Sequence, residues 1–314
     1  MKNYILSIDQ GTTSTRVIIF DKKFNFISSS QKEFKQIFPR DGEVEHDPEE
    51  IYLSVLFTAK DAIRRAKIKP TQIKSIGITN QRETTVLWDK TNGKAIYNAI
   101  VWQDRRTVKF CKNLVQKGFA KKIQKTTGLV VDSYFSASKI NWLLKNVKAA
   151  RELLKKDRLL FGTIDTWLLW KLTDGQSHYT EATNASRTML FDIKKNQWSK
   201  EMLHIFKVPE KILPVVKDSA DDFGQTTKFG SNIPIQGIAG DQQAATIGQA
   251  CLEPGSIKST YGTGCFMIMN VGSKLKYSKN KLLSTIAYRI KGKNTYALEG
   301  SIFIAGAAVQ WLRD

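Results

Sequence analysis

Cysteine and histidine are scarce in this chain, three of each among 314 residues. Cys111, Cys251 and Cys265 cannot all pair with one another and show no C-x-x-C spacing, so reduced thiols are expected and a disulfide framework is not. His46, His178 and His204 lie far apart and give no metal-ligand cluster; core or surface roles are expected for each. Long apolar runs are missing as well. Asp9 interrupts any signal-peptide core, and the longest apolar run, residues 302–312, is far too short to span a bilayer. A soluble, cytoplasmic protein without membrane insertion is the expectation. Acidic residues are outnumbered, 29 Asp and Glu against 49 Lys and Arg, which leaves a net charge of +20. Such a balance can serve nucleic acid or an anionic surface. Here, however, the lysines are scattered in pairs (Lys22-Lys23, Lys121-Lys122, Lys155-Lys156, Lys194-Lys195), with no single stripe among stacking aromatics. Solvated surface is therefore expected, and specific nucleic-acid binding is not. Two phosphate-binding signatures are also absent: no glycine-rich run ends in Lys-Ser or Lys-Thr, and there is no G-x-G-x-x-G.

What is present suffices for a large core: 41% of the residues are hydrophobic and 10% aromatic, in a chain with room for about two domains. The stretch 4–20 organises the rest. Its apolar runs 4–8 and 17–20 read as buried strands around a turn of Gly11, Thr12, Thr13 and Ser14. Glycine there can take positive φ and aim N–H groups into the turn, the hydroxyls add donors, and Arg16 adds charge. Such a turn suits a phosphate chain, and Asp9 suits a hydrated Mg²⁺ beside it. The same residues equally make an ordinary polar hairpin turn. A second stretch, Ser259-Thr-Tyr-Gly-Thr-Gly-Cys-Phe-Met-Ile-Met-Asn270, repeats the plan, with Gly262-Thr263 in the places of Gly11-Thr12. The repeat suggests two related lobes with a ligand in the cleft between them.

Along the chain, residues 24–30 read as a third antiparallel strand, and a periodic helix starts at Pro48 and runs to 66. Strands are expected over 73–79, 84–88, 99–102 and 235–239. Helices are expected over 105–117, 136–154, 165–172, 198–206 and 242–250. Leu252-Glu-Pro-Gly255 is the best boundary, dividing a first lobe, 1–252, from a second, 253–314. The second reads β-β-β-α, with strands near 258–270, 283–290 and 294–300 and a helix starting in 302–312. An open meander with one helix has little surface on which to bury its apolar face, so the second lobe is expected to be incomplete.

Several side chains could carry chemistry. Asp241 falls where a buried strand meets a helix, which suits a general base at the rim of a sheet and equally a helix N-cap. Arg82 and Glu83 place both signs side by side, but strand neighbours face opposite ways, so both reach one ligand only if the backbone breaks there. A surface ion pair is the simpler alternative. Trp102 and Tyr134 read equally as amphipathic core residues. Gly306, in Ala305-Gly-Ala-Ala308, opens a helix that either receives an anion or packs closely.

Taken together, Asp9-Gln-Gly-Thr-Thr-Ser14, Asn80-Gln-Arg-Glu83, Trp102-Gln-Asp104, Tyr134-Phe-Ser-Ala-Ser-Lys-Ile-Asn-Trp142, Gly240-Asp-Gln-Gln243 and Tyr261-Gly-Thr-Gly264 resemble the FGGY family of sugar and polyol kinases. The resemblance runs from residue 1 to 314. It implies an α/β, ribonuclease H-like two-lobed fold of the actin and sugar-kinase type. It also implies Mg²⁺- and ATP-dependent phosphorylation of glycerol to sn-glycerol 3-phosphate, with another polyol or ketose, or polyol binding without catalysis, as alternatives. By resemblance Asp241 is the base. Arg82, Glu83, Tyr134, Asp241 and Gln242 contact the polyol hydroxyls, and Trp102 packs on the carbon chain. Thr12, Thr13, Ser14 and Arg16 serve the nucleotide from the first lobe, and Thr263, Gly306 and Gln310 from the second. Asp9 holds Mg²⁺ through water. A homo-oligomer, in which a dimer partner completes the second lobe, is compatible with this reading.

Overall fold

The computed structural model describes residues 3–261, 264–302 and 305–313. Strand β1 (Tyr4–Gln10) buries Leu6, Ile8 and Gln10 in strict alternation, as a strand with one face on a core must. It pairs antiparallel with β2 (Ser14–Asp21), which sets Ile8 opposite Val17 and Asp9 opposite Arg16. Strand β3 (Phe26–Glu33) continues the meander antiparallel to β2.

Helix α1 (Pro48–Arg65) follows, with sequence signals at both ends. Asp47 caps it by accepting from the Glu49 N–H, Pro48 fills the first turn with Glu49 and Glu50, and Arg64 and Arg65 close the last. Its stripe of Ile51, Val55, Ala59 and Ala62 is fully buried against the sheet; each large aliphatic side chain so covered contributes about 1.5–3 kcal/mol.

Strand β4 (Ile73–Asn80) lies parallel to β1 on its other side. Among the elements that follow are helices α2 (Ser136–Asn146) and α3 (Ile164–Leu172) and then strand β5 (Ile233–Gly240), parallel to β4 and leading directly into helix α4 (Asp241–Gly248). The order is β3-β2-β1-β4-β5, with a two-residue strand, Gln225–Thr226, antiparallel at the outer edge of β5; among the five longer strands β2 alone runs against the others. This is the ribonuclease H-like arrangement expected from the sequence. Its carboxyl edge gathers the ends of β1, β4 and β5, where a parallel sheet places its ligands.

A second sheet is built from β6 (Ile257–Tyr261), β7 (Cys265–Gly272), β8 (Leu283–Ile290) and β9 (Lys293–Ile302), all antiparallel in the order β6-β7-β9-β8, followed by helix α5 (Gly306–Arg313). Val271, Ile286 and Tyr296 of this sheet share one cluster with Ala182, Ala185, Phe191 and Ile193 of the first lobe.

Three expectations are corrected. The span 258–270 is a hairpin of two strands, so the second sheet has four strands where three were expected. The helix expected over 136–154 breaks at Val147, whose backbone is extended while its side chain packs on the core beside α2. The last helix starts at Gly306, as expected, and Ile302 before it still pairs with Cys265 in the sheet. Gly11 stays outside the left-handed region; a Cβ there would stand 3.2 Å from the Ser14 carbonyl, a tight contact that the turn would have to relax to admit.

Gly128 is the tightest junction between the two sheets' supports. Its φ is +77°, its carbonyl accepts from the Ser284 N–H at 2.9 Å, and a Cβ would lie 2.2 Å from the Ser284 carbonyl oxygen. Both the backbone angle and the space demand glycine. Gly128→Ala should lower stability by about 2–4 kcal/mol, read as a drop in the urea midpoint at unchanged m-value; an unchanged midpoint would show that β8 moves away without cost.

Candidate active site

Strand β4 ends at Asn80, and the chain then turns sharply. The Thr84 N–H bonds the Arg82 carbonyl at 2.7 Å, and Glu83 between them has φ +63°. A three-residue turn with a non-glycine residue at positive φ is a strained conformation. The surroundings hold it: the Ser136 and Thr85 hydroxyls both donate to the Glu83 carbonyl, at 2.9 and 3.1 Å. This is the backbone break that lets Arg82 and Glu83 serve one site.

Both side chains are buried and enter one ionic ladder. Arg82 Nη1 and Nη2 donate to the two oxygens of Glu299 at 2.7 and 3.0 Å, and Arg82 Nε lies 3.1 Å from Asp241 Oδ1. Arg187 Nε donates to Glu83 at 2.6 Å and its Nη2 to Glu299 at 2.9 Å. The third guanidinium nitrogen, Nη1 of Arg187, is buried without a hydrogen bond, and the group packs over the rings of Phe135 and Tyr134 at 5.2 and 5.5 Å. Two arginines face Glu83 and Glu299, with Asp241 half-buried at the open end. Burial raises the Asp241 and Glu83 carboxyls above their usual range, and Arg82 opposes the rise in both. Glu299 and Asp9 push Asp241 further upward. Against the desolvation that burial imposes, Arg187 and Arg82 hold Glu299 down at about 2.

Asp241 is the first residue of α4, and no side chain caps that terminus. Its Oδ1 accepts from the neighbouring Gln242 N–H at 2.7 Å. Gly240 before it admits Arg82, since a Cβ there would lie 2.7 Å from Arg82 Cδ.

These groups face a cavity of about 270 Å³ lined by Thr12, Thr13, Arg82, Glu83, Trp102, Gln103, Tyr134, Asp241, Gln242, Thr260, Gly264 and Phe266. Trp102 stands edge-on to Tyr134 and to Phe266, centroids 5.6 and 6.1 Å away, and its Nε1 donates to the Thr12 hydroxyl at 2.9 Å. Eight residues singled out from the sequence thus meet at one place: Thr12, Thr13, Arg82, Glu83, Trp102, Tyr134, Asp241 and Gln242. Asp9, Ser14, Arg16 and Gly306 do not line the cavity. Asp9 and Arg16 are exposed cross-strand partners on the first hairpin. The Ser14 hydroxyl accepts from Gln31, and Gly306 opens α5. Thr263 lies outside the described residues, as does the side chain of Gln310. A larger cavity of about 700 Å³ shares Trp102, Gln103 and Tyr134 but reaches neither Arg82 nor Asp241. Among the described residues no group of three or more His, Cys, Asp or Glu side chains could hold a metal ion, and no helix is long and apolar enough to cross a membrane.

Behind the first hairpin lies a buried polar relay. His46 Nε2 meets Gln36 Oε1 at 2.7 Å, and Gln36 Nε2 donates to the Thr12 carbonyl at 3.1 Å. Gln81 Nε2 donates to the Gln10 side chain and the Gly11 carbonyl, each at 3.1 Å. Sequence reasoning gave His46 no more than a generic core or surface role, and missed Arg187, Lys258 and Glu299 altogether. The available signal was a charge amid buried positions, as in Tyr296-Ala-Leu-Glu-Gly300, which implies a partner.

Residues 4–248 match the FGGY family of carbohydrate kinases, N-terminal domain. Over its whole length the chain is 60% identical to a glycerol kinase of Sinorhizobium fredii, of which it covers 64%. The crystal structure of Plasmodium falciparum glycerol kinase with ADP superposes with a TM-score of 0.93 at 42% identity, over 99% of this chain and 63% of that one. A gluconate kinase of Lactobacillus acidophilus, 23% identical with a TM-score of 0.87, shares the fold. The fold is thus that of the sugar kinases, and the chain belongs to the FGGY family. It spans just under two thirds of the length of the glycerol kinases it matches.

Burial depresses the His46 pKa from 6.5 to about 4. The unfolded chain therefore takes up a proton that the fold refuses, so stability is full above pH 6.5 and falls as the pH drops toward 4, by about 3 kcal/mol from this group. Urea midpoints measured across that window should flatten in His46→Gln relative to the parent; equal slopes would assign the loss to other groups.

Proposed function

We propose that this site binds glycerol and phosphorylates it at the expense of ATP, giving sn-glycerol 3-phosphate and ADP. The observation that carries the reading is the convergence of Arg82, Glu83, Trp102, Tyr134, Asp241 and Gln242 on one small cavity that also touches Thr12 and Thr13 of the first hairpin. Its volume, about 270 Å³, falls below the roughly 300–1,000 Å³ of pockets for drug-sized ligands. Paired donors and acceptors with one aromatic wall suit a short polyol. Polar groups so arranged reject an analogue lacking a hydroxyl, because they would be left unpaired.

In this reading Asp241 accepts the proton of the attacking hydroxyl. The hydroxyl oxygen bonds to the γ-phosphorus of ATP, the bond from that phosphorus to the bridging oxygen breaks, and ADP leaves. The upward pressure of burial on the Asp241 pKa improves it as a base, while the Arg82 charge opposes that rise and favours the carboxylate. Arg82, Glu83, Gln242 and Tyr134 orient the hydroxyls, and Trp102 supports the carbon chain. Thr12, Thr13, Ser14 and Arg16 face the phosphates, with Thr263, Gly306 and Gln310 on the nucleotide's other side. Mg²⁺ binds few protein ligands and keeps its water, so the exposed Asp9 carboxylate beside this hairpin fits it and would hold it there, supplying charge neutralisation to the phosphates.

Glycerol-dependent ADP formation by the purified chain tests the reading. Asp241→Asn should lower turnover by about 10²–10⁴-fold while glycerol binding, measured by calorimetry, stays within a few-fold of the parent. Unchanged turnover in that variant would remove Asp241 from the chemistry, and a parent chain that ignores glycerol would remove the substrate.

A further inference from the structure

The polar side chains proposed to grip the polyol all come from residues before the linker at 252, yet one of them is held from the second sheet. Lys258 sits on β6 two residues from Thr260, on the same face of the strand, and Thr260 lines the cavity. The lysine is only 5% exposed, and its Nζ donates to Gln242 Oε1 at 2.5 Å. Among the described residues the Gln242 carboxamide makes no other hydrogen bond to protein. Burial lowers the Lys258 pKa, and the neighbouring Asp241 charge opposes this and favours the ammonium.

A carboxamide has two faces of opposite character, an accepting oxygen and a donating NH2, which a rotation of its last torsion exchanges at little cost. An ammonium can only donate. A lysine fixed on one side of the amide therefore settles which face looks the other way. Gln242 lines the cavity, and its NH2 is the end that Lys258 leaves free. We propose that Lys258 is a positioning residue that locks the Gln242 carboxamide with its NH2 toward the cavity, so that Gln242 offers the ligand donors and no acceptor. The division of labour follows. Gln242 and Arg82 give hydrogen bonds to polyol oxygens, and Glu83 and Asp241 receive them from polyol hydroxyls. The second sheet thereby takes part in substrate recognition without touching the substrate.

The proposal rests on the polyol reading of the cavity, so its test has two arms. In the first, calorimetry compares glycerol with the two propanediols, each lacking one glycerol hydroxyl, for the parent, Lys258→Met and Lys258→Arg. With the amide free to flip, Lys258→Met should weaken glycerol about 10-fold and leave unchanged the diol that lacks the hydroxyl served by Gln242. Lys258→Arg, also a pure donor, should restore the parent pattern. Equal weakening of all three ligands, or of none, would overturn the positioning role while leaving the polyol reading intact.

The second arm needs no ligand. The Gln242 side-chain NH2 pair, assigned by its disappearance in Gln242→Glu, is read by amide NMR. A distinct, exchange-protected pair in the parent that averages in Lys258→Met supports the lock, and identical pairs in both overturn it. A parent that binds none of the polyols but shows the protected pair would discard the substrate class and keep the lock.

Discussion

The bidentate bond between Arg82 and Glu299 is the contact on which the site depends. It joins the end of β4 in the first sheet to β9 in the second, and both groups are out of reach of water. An isolated buried charge is prohibitively costly, so neither residue is tolerable without the other. Arg187 extends the bond into a ladder by bracing Glu83 and Glu299 together. Exposed ion pairs of similar geometry contribute little because water competes for them. Here competition is excluded, and the guanidinium of Arg82 is fixed by partners on four sides before any ligand arrives. Such preorganisation removes an ordering cost that would otherwise weaken binding.

The strained turn at Glu83 is the other requirement. Without the break after Asn80, a regular strand would send Arg82 and Glu83 to opposite faces of the sheet. The positive φ of Glu83 is sustained by hydroxyl donors to its carbonyl and by the two arginines around its carboxylate. Strain in a binding loop is commonly stored this way, with neighbouring contacts over-determining the conformation.

The first sheet was readable from the sequence because its signals are local. Alternation in β1 and β2, the Asp47-Pro48-Glu49 start of α1 and the strand-to-helix junction at Gly240-Asp241 each announce themselves within a few residues. The motif residues that meet in the cavity were also named in advance, through the family resemblance carried by short segments. What stayed hidden was long-range. Nothing near Glu299 says that its partners are Arg82 and Arg187, and nothing near His46 says that it supports Thr12 through Gln36. The repeat with Gly11 already implied a hairpin at Gly262, but 258–270 was counted as one strand because its apolar residues run on past the glycines. The break at Val147 was missed because apolar spacing continues through it.

The separation of Arg82 from Glu299, 217 residues along the chain, has a bearing on how the protein is made. A ribosome adds roughly 5–20 residues per second, so Arg82 emerges about ten to forty seconds before its counter-ion exists. During that interval the ribonuclease H-like sheet can form around β1, β2 and β4, whose contacts are nearer in sequence, while Arg82 and Arg187 have Glu83 and, once made, Asp241 as counter-charges. The ladder therefore cannot close until β9 has been synthesised.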